Sequence, residues 1–269
     1  GKISLPMGME NGTPIEGDMK NLKHFYDRGI RYITLTHALS NHISDSSYSD
    51  EKPWQGLSPF GKKLVKEMNN IGMMIDVSHI SDQAFEQVMA LSKAPVIASH
   101  SSMRHFTPGF ERNMSDDMVR ALKKNGGVIQ INFGSSFVTK KANKYSSKVK
   151  AARQEFMDKN GLKETSDPEV KAFVEKFKKK HPYPFATVKE VVDHVDRVVD
   201  IVGIDYVGVG SDYDGVGDSL PTHLKDVSDF PNFIQELLNR NYSEKDIEKI
   251  MSGNVLRVWQ QVEDYAKKH

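Results

Sequence analysis

The sequence predicts an α/β fold on a parallel sheet. Short β-branched runs alternate with helical patterns along most of the chain, the residues between them are the stop and start signals of βα units, and 269 residues suit one large domain of this class. Strands are expected near residues 3–9, 31–36, 73–78, 95–99, 127–132 and 206–210. Six parallel strands make either an open doubly wound sheet or most of a (β/α)8 barrel, two strands short of the full count.

The elements follow in order. After the strands at 3–9 and 31–36, Ser58 then Pro59 reads as an N-cap and first-turn proline, and Gly72 stops that helix before the strand at 73–78. Beyond the strand at 95–99, Ser115 followed by Asp116 and Asp117 opens a helix that Asn125-Gly126-Gly127 closes, and the strand at 127–132 comes next. From about 139 to 185 the pattern changes to a lysine-rich, helix-prone stretch, read as a helical insertion with a solvated basic face because glutamates are interspersed and aromatics are few. No strand is expected there before Tyr206. Past Pro231 come two or three more helices, one opened by Ser243 and Asp246 at capping-box spacing. With no repeat and no low-complexity linker, residues 1–269 read as a single domain.

Composition removes several classes. Lys and Arg (37) nearly balance Asp and Glu (36), so net charge does not argue for nucleic acid or another polyanion. There is no cysteine, which excludes disulfides and thiolate metal sites; any metal must be held by His, Asp and Glu. The longest apolar runs are strand-sized, so no membrane-spanning segment is expected, and residues 1–10, GKISLPMGME, lack a signal-peptide core.

In parallel α/β folds the carboxyl ends of the strands converge on one face, where ligands bind. The polar residues at those ends are Glu10, His37, His79, His100, Asn132 and Asp212. Two carboxylates and three imidazoles suit zinc or a similar divalent ion. Singly, each has a plain structural reading: a strand-end histidine is more often just hydrogen-bonded, Glu10 could be solvated, and Asp212 in SDYDG could cap a turn. Jointly, burying so many titratable groups without a shared ion would be costly. Asp76 lies inside a strand and by alternation should point away from the face of His79, in a structural or supporting role. The other histidines, His194 among them, fall on helices or loops and are expected at the surface. Arg112, in the loop after His100, could clamp a carboxylate with two parallel hydrogen bonds.

GIRYITLTHA, MIDVSHIS, VIASHSS, ERNMSDDMVRAL, VGVGSDYDG and SGNVLRVW together resemble the membrane (renal-type) dipeptidases, the M19 peptidases of the amidohydrolase superfamily, over nearly the whole chain. The resemblance implies a (β/α)8 TIM-like barrel with two zinc ions bridged by a glutamate, and hydrolysis of dipeptides by metal-activated water. It assigns Glu10 as the bridging ligand, His79 and His100 as ligands of the second zinc, and His37 as a substrate-binding and catalytic histidine that stabilises the tetrahedral intermediate. Arg112 becomes the grip on the free carboxylate of the dipeptide, and Asp212 the proton carrier as well as a candidate metal ligand.

One departure stands out. Family members begin with a His-x-Asp pair on the first barrel strand, and none precedes Glu10. Together with the two-strand shortfall, this leads to the expectation that the N-terminal strands are absent from this chain, as a missing segment or on a separate chain, so that one zinc site is fully represented. The rival reading is a catalytically silent or incomplete fragment that keeps a single metal site and serves as a scaffold. A phosphate-binding barrel built on VGVGSDYDGVGDS is disfavoured, because its aspartates would repel the anion. A homodimer is compatible with the resemblance, and an extracytoplasmic setting, periplasmic or secreted, follows from analogy alone.

Overall fold

The computed structural model of the protein describes residues 6–269, in which six strands form one parallel sheet in chain order. These are β1 (Met7–Glu10), β2 (Ile30–Thr34), β3 (Met74–Asp76), β4 (Ile97–Ser101), β5 (Val128–Ile131) and β6 (Val207–Val209), each paired with the next. The opening residues of the strand expected at 3–9 lie outside the described residues. A doubly wound sheet reverses its order at a switch point; this one never does, so successive crossovers turn the same way, as in a TIM barrel. Among the described residues β1 and β6 are not paired with each other, which leaves the barrel open along one seam.

The helices begin and end where their capping residues require. After α1 (Met19–Asp27), α2 (Pro59–Ile71) starts with the Ser58 side chain accepting from the Gly61 amide and stops at Gly72 in the left-handed conformation. α3 (Asp82–Leu91) precedes α4 (Asp116–Asn125), which is capped by Ser115 and ended by Gly126. The lysine-rich stretch follows two short turns, α5 (Ser135–Val138) and α6 (Lys140–Asn143), with α7 (Tyr145–Asn160) and α8 (Pro168–Lys180). α9 (Val188–Val202) leads into β6; α10 (Phe230–Asn239), α11 (Glu244–Glu248) and, after a π-helical turn, α12 (Asn254–Ala266) complete the chain. No helix among the described residues is long and apolar enough to cross a membrane.

Strand alternation divides the core in two. Ile33, Ile75 and Ile129 pack outward with Leu64, Val88, Leu122 and Val195 of the surrounding helices. Met74, Ile97 and Val128 face inward and meet Val258 and Val262 of α12, which fills part of the inner face with Trp259 beside it. His194 corrects the expectation of a surface position. It lies on the apolar stripe of α9 with Val191, Val195 and Val198, is fully buried, and accepts from the Met103 amide at Nδ1 (2.9 Å) while Nε2 bonds the Val138 carbonyl (3.0 Å).

Candidate metal centre and active site

Each expected strand end delivers its side chain to the same rim. Glu10 is the last residue of β1, His100 lies within β4, and His37, His79, Asn132 and Asp212 stand one to three residues beyond β2, β3, β5 and β6. The backbone is bent sharply here: His79 (φ 71°), Asp212 (φ 58°) and Asn11 (φ 79°) occupy the left-handed region. For residues other than glycine such conformations cost about 1–3 kcal/mol each and concentrate where function requires them.

The donors converge on one carboxylate oxygen. Glu10 Oε1 is 3.0 Å from Nε2 of His79, 3.0 Å from Nε2 of His100 and 3.6 Å from Nε2 of His37. The two Nε2 atoms of His79 and His100 are themselves 2.9 Å apart. Two ring nitrogens this close must share a proton or a cation. One atom each from Glu10, His37 and His79 lies within 4.8 Å of the other two, as ligands of a common ion do. Close contact with His100 and His79 holds the Glu10 carboxyl well below the usual carboxylate range, and burial pushes His79 down to about 3. An ionised carboxylate and a neutral imidazole are the forms that ligate a metal.

A relay beneath the cluster fixes one ligand. The Ser99 hydroxyl donates to Asp76 Oδ2 (2.5 Å), so its oxygen is free to accept from His100 Nδ1 at 2.7 Å. That places the His100 proton on Nδ1 and leaves the Nε2 lone pair facing Glu10. Asp76 is saturated by Thr34 Oγ1 and by the Ser78 and Ser99 amides. Asp76 therefore does not turn away from the site, as alternation alone suggested: it points inward below the rim, because the chain bends at His79 after β3 has ended. Among the described residues His79 has no such partner, and its Nδ1 is buried without a hydrogen bond.

A cavity of about 330 Å³ opens above the cluster, with His37, His79, Tyr48, Phe137 and Asp212 in its walls. A second, of about 440 Å³, shares Glu10, His100 and Asp212 and runs down the inner face past Tyr32, Gln130 and Trp259. Asn132 Nδ2 donates to Asp212 Oδ2 (2.8 Å), and no hydrogen bond or ion pair joins Asp212 to Glu10 or the three histidines among the described residues. Asp212 thus stands on the cavity wall, beside the cluster.

Arg112 is placed differently from a ready clamp. It is 3% exposed, donates to Ser101 Oγ (2.7 Å) and to the His100 carbonyl (2.8 Å), and leaves Nε unpartnered. Its guanidinium lies 5.2 Å from the ring centre of Phe137 and has no carboxylate partner among the described residues. Tyr48, Phe137 and Ser99 were not singled out in the sequence. Ser99 and Asp76 carried a usable signal, as polar side chains in buried strands need partners; Tyr48 and Phe137 reach the site from loop and helix and carried none.

The sequence profile of the membrane dipeptidase family, peptidase family M19, matches residues 1–269. The chain belongs to this family. Among M19 relatives, dipeptidase tcpJ of Claviceps purpurea is 38% identical over 99% of this chain and 52% of its own length. The chain spans about half the length of the curated relatives it matches. The crystal structure of the probable dipeptidase PvdM from Pseudomonas aeruginosa superposes with a TM-score of 0.82 at 32% identity, covering 97% of this chain and 70% of that one. A metallo peptidase from Rhodobacter sphaeroides, crystallised with a phosphinate mimic of L-Ala-D-Ala, shares the fold at a TM-score of 0.73 and 23% identity, over 95% of this chain and 62% of that one.

Proposed function

We propose that the chain carries the active site of a zinc-dependent dipeptidase. The observation that carries the reading is the meeting of Glu10 Oε1 with Nε2 of His79 and of His100 within 3.0 Å. The names of two relatives, dipeptidase tcpJ and the probable dipeptidase PvdM, support the reaction and substrate class. A donor set of imidazole and carboxylate without thiolate fits zinc or a similar divalent ion. Glu10, His79 and His100 would hold it, with His37 at the edge of the cluster. Bound there, the ion would supply Lewis acidity, lowering the pKa of water and polarising the scissile carbonyl.

The chain's own residues would do the rest. Asp212 takes a proton from the attacking water and returns it to the leaving amine, with Asn132 fixing the carboxylate. His37 donates to the oxyanion of the tetrahedral intermediate. Arg112 pairs with the free carboxylate of the dipeptide, giving up its bond to Ser101 or to the His100 carbonyl as it does so. The second ion implied by the resemblance needs a further His-x-Asp pair, which would reach the cluster from the side of β1 that is not paired among the described residues. The scaffold reading has no observation in its favour.

Zinc stoichiometry and dipeptide hydrolysis, measured together, test this. Asp212→Asn is expected to keep its zinc and lose about 10²–10⁴-fold in kcat, while Glu10→Gln loses the metal. Failure of the unaltered chain to take up any divalent ion would refute the assignment.

A further inference from the structure

Away from the rim, the lysines of the lysine-rich segment are exposed but gathered in two stretches. Residues 139–150 and 176–186 contain nine lysines and no carboxylate in a chain of net charge +1, so the remainder of the molecule is net negative. The start of α7 and the end of α8 bring these two stretches together around a cavity of about 440 Å³ lined by Lys141, Lys144, Lys148, Lys180, Tyr145 and His181. Its volume lies within the range of about 300–1,000 Å³ typical of small-molecule sites. None of the nine lysines forms an ion pair among the described residues, although the chain has 36 acidic residues. The glutamates interspersed in the sequence fall elsewhere on the hairpin.

The walls are fixed. Tyr145 donates its hydroxyl to the His181 carbonyl (2.8 Å) and packs edge-on against Tyr183 at 5.1 Å between ring centres. The His181 ring is 4.5 Å from that of Phe177, over which Lys148 Nζ stands at 5.9 Å. The lysines at the end of α8 have an ordinary explanation in the helix dipole, but Lys148 stands at the opposite pole, at the first turn of α7, where cations are disfavoured. Like charges gathered on a rigid pocket repel one another until an anion enters. Lysines without an arginine fork suit the point-charge recognition of phosphate oxygens, and the aromatic and proline walls suit an attached carbon framework.

We propose that the pocket between α6, α7 and α8, centred on Lys141, Lys144, Lys148 and Lys180, binds a phosphate-bearing organic anion with two or more negative charges. This site is separate from the metal centre and independent of the dipeptidase reading. A free phosphorylated metabolite and a phospholipid headgroup share the required chemistry.

Calorimetric titration with inorganic pyrophosphate and co-sedimentation with phosphatidylcholine vesicles, with and without phosphatidic acid, whose phosphomonoester can carry two charges, test it on the full chain. The variants are Lys144→Glu/Lys148→Glu and, as control, Lys62→Glu/Lys63→Glu on the exposed face of α2; thermal unfolding checks that both fold. The expected result is binding of at least one probe that weakens more than tenfold in Lys144→Glu/Lys148→Glu, persists in the control, and falls as salt rises from 50 to 200 mM. Pyrophosphate alone would identify a soluble ligand, and phosphatidic acid vesicles a headgroup. Binding of neither probe, equal loss in the two double variants, or binding that survives in Lys144→Glu/Lys148→Glu, as at the metal centre, would overturn the proposal.

Discussion

The Ser99 hydroxyl decides which nitrogen of His100 is free, and it does so through a single proton passed down to Asp76. Removing the relay should leave the ligands in place but let the ring choose its tautomer. Ser99→Ala is therefore expected to weaken zinc binding about 10–100-fold, read by competition with a chromophoric chelator. Arg112 poses a different question, since two of its donors are already engaged. If it grips the substrate carboxylate, Arg112→Lys should raise KM about tenfold or more for a dipeptide with kcat changed little, and should erase the preference for a dipeptide over its amide. The rim residues were legible because each ends an apolar run in a parallel sheet, a position that topology alone turns toward the ligand face. The burial of Arg112 was not legible, because no periodicity governs the loop that carries it, and the inward turn of Asp76 was misread because alternation ends with the strand, at Asp76 itself.

Among the elements, α2 shows how tightly a crossover helix holds the loop that bears His37 and Tyr48. A Cβ built on Gly61 would lie 2.1 Å from the Ile43 carbonyl oxygen, and Ser58 is tied to the His42 and Ile43 carbonyls across the same contact. Gly61→Ala must therefore push the loop from the helix, and a loss of about 1–3 kcal/mol is expected, read by urea unfolding. Both ends of α2 and α4, and the start of α11, were readable to the residue, because serine caps and left-handed glycines impose local geometry that sequence states outright. Strand ends slipped by one or two residues where pairing across the sheet, a non-local property, sets the limit. His194 was recoverable, since its place among valines three and four residues apart is the mark of a buried stripe; treating histidine as a surface residue overrode that pattern.

For the molecule as a whole, buried imidazoles make stability depend on pH. Burial pushes His194 from 6.5 down to about 4, so between those values the unfolded chain takes up a proton that the fold refuses, and stability falls as pH falls. The loss is about 3 kcal/mol at most across that window. His194→Gln should flatten the pH dependence measured in chelator-treated protein, though not abolish it, because His79 is held neutral as well. The proposed zinc should act in the opposite sense. At about a hundred times its Kd it should add about 2.7 kcal/mol and raise Tm by about 5 °C or more, a shift that His100→Ala removes. Strand order that repeats chain order also has a temporal meaning. Glu10, His37, His79 and His100 are all made before residue 101, whereas Asp212 belongs to the sixth strand's exit. At a translation rate of about 5–20 residues per second, the ribosome adds Asp212 on the order of ten seconds after His100. The nascent polypeptide thus acquires the means to sequester a cation well before it has the group that would put the cation to use.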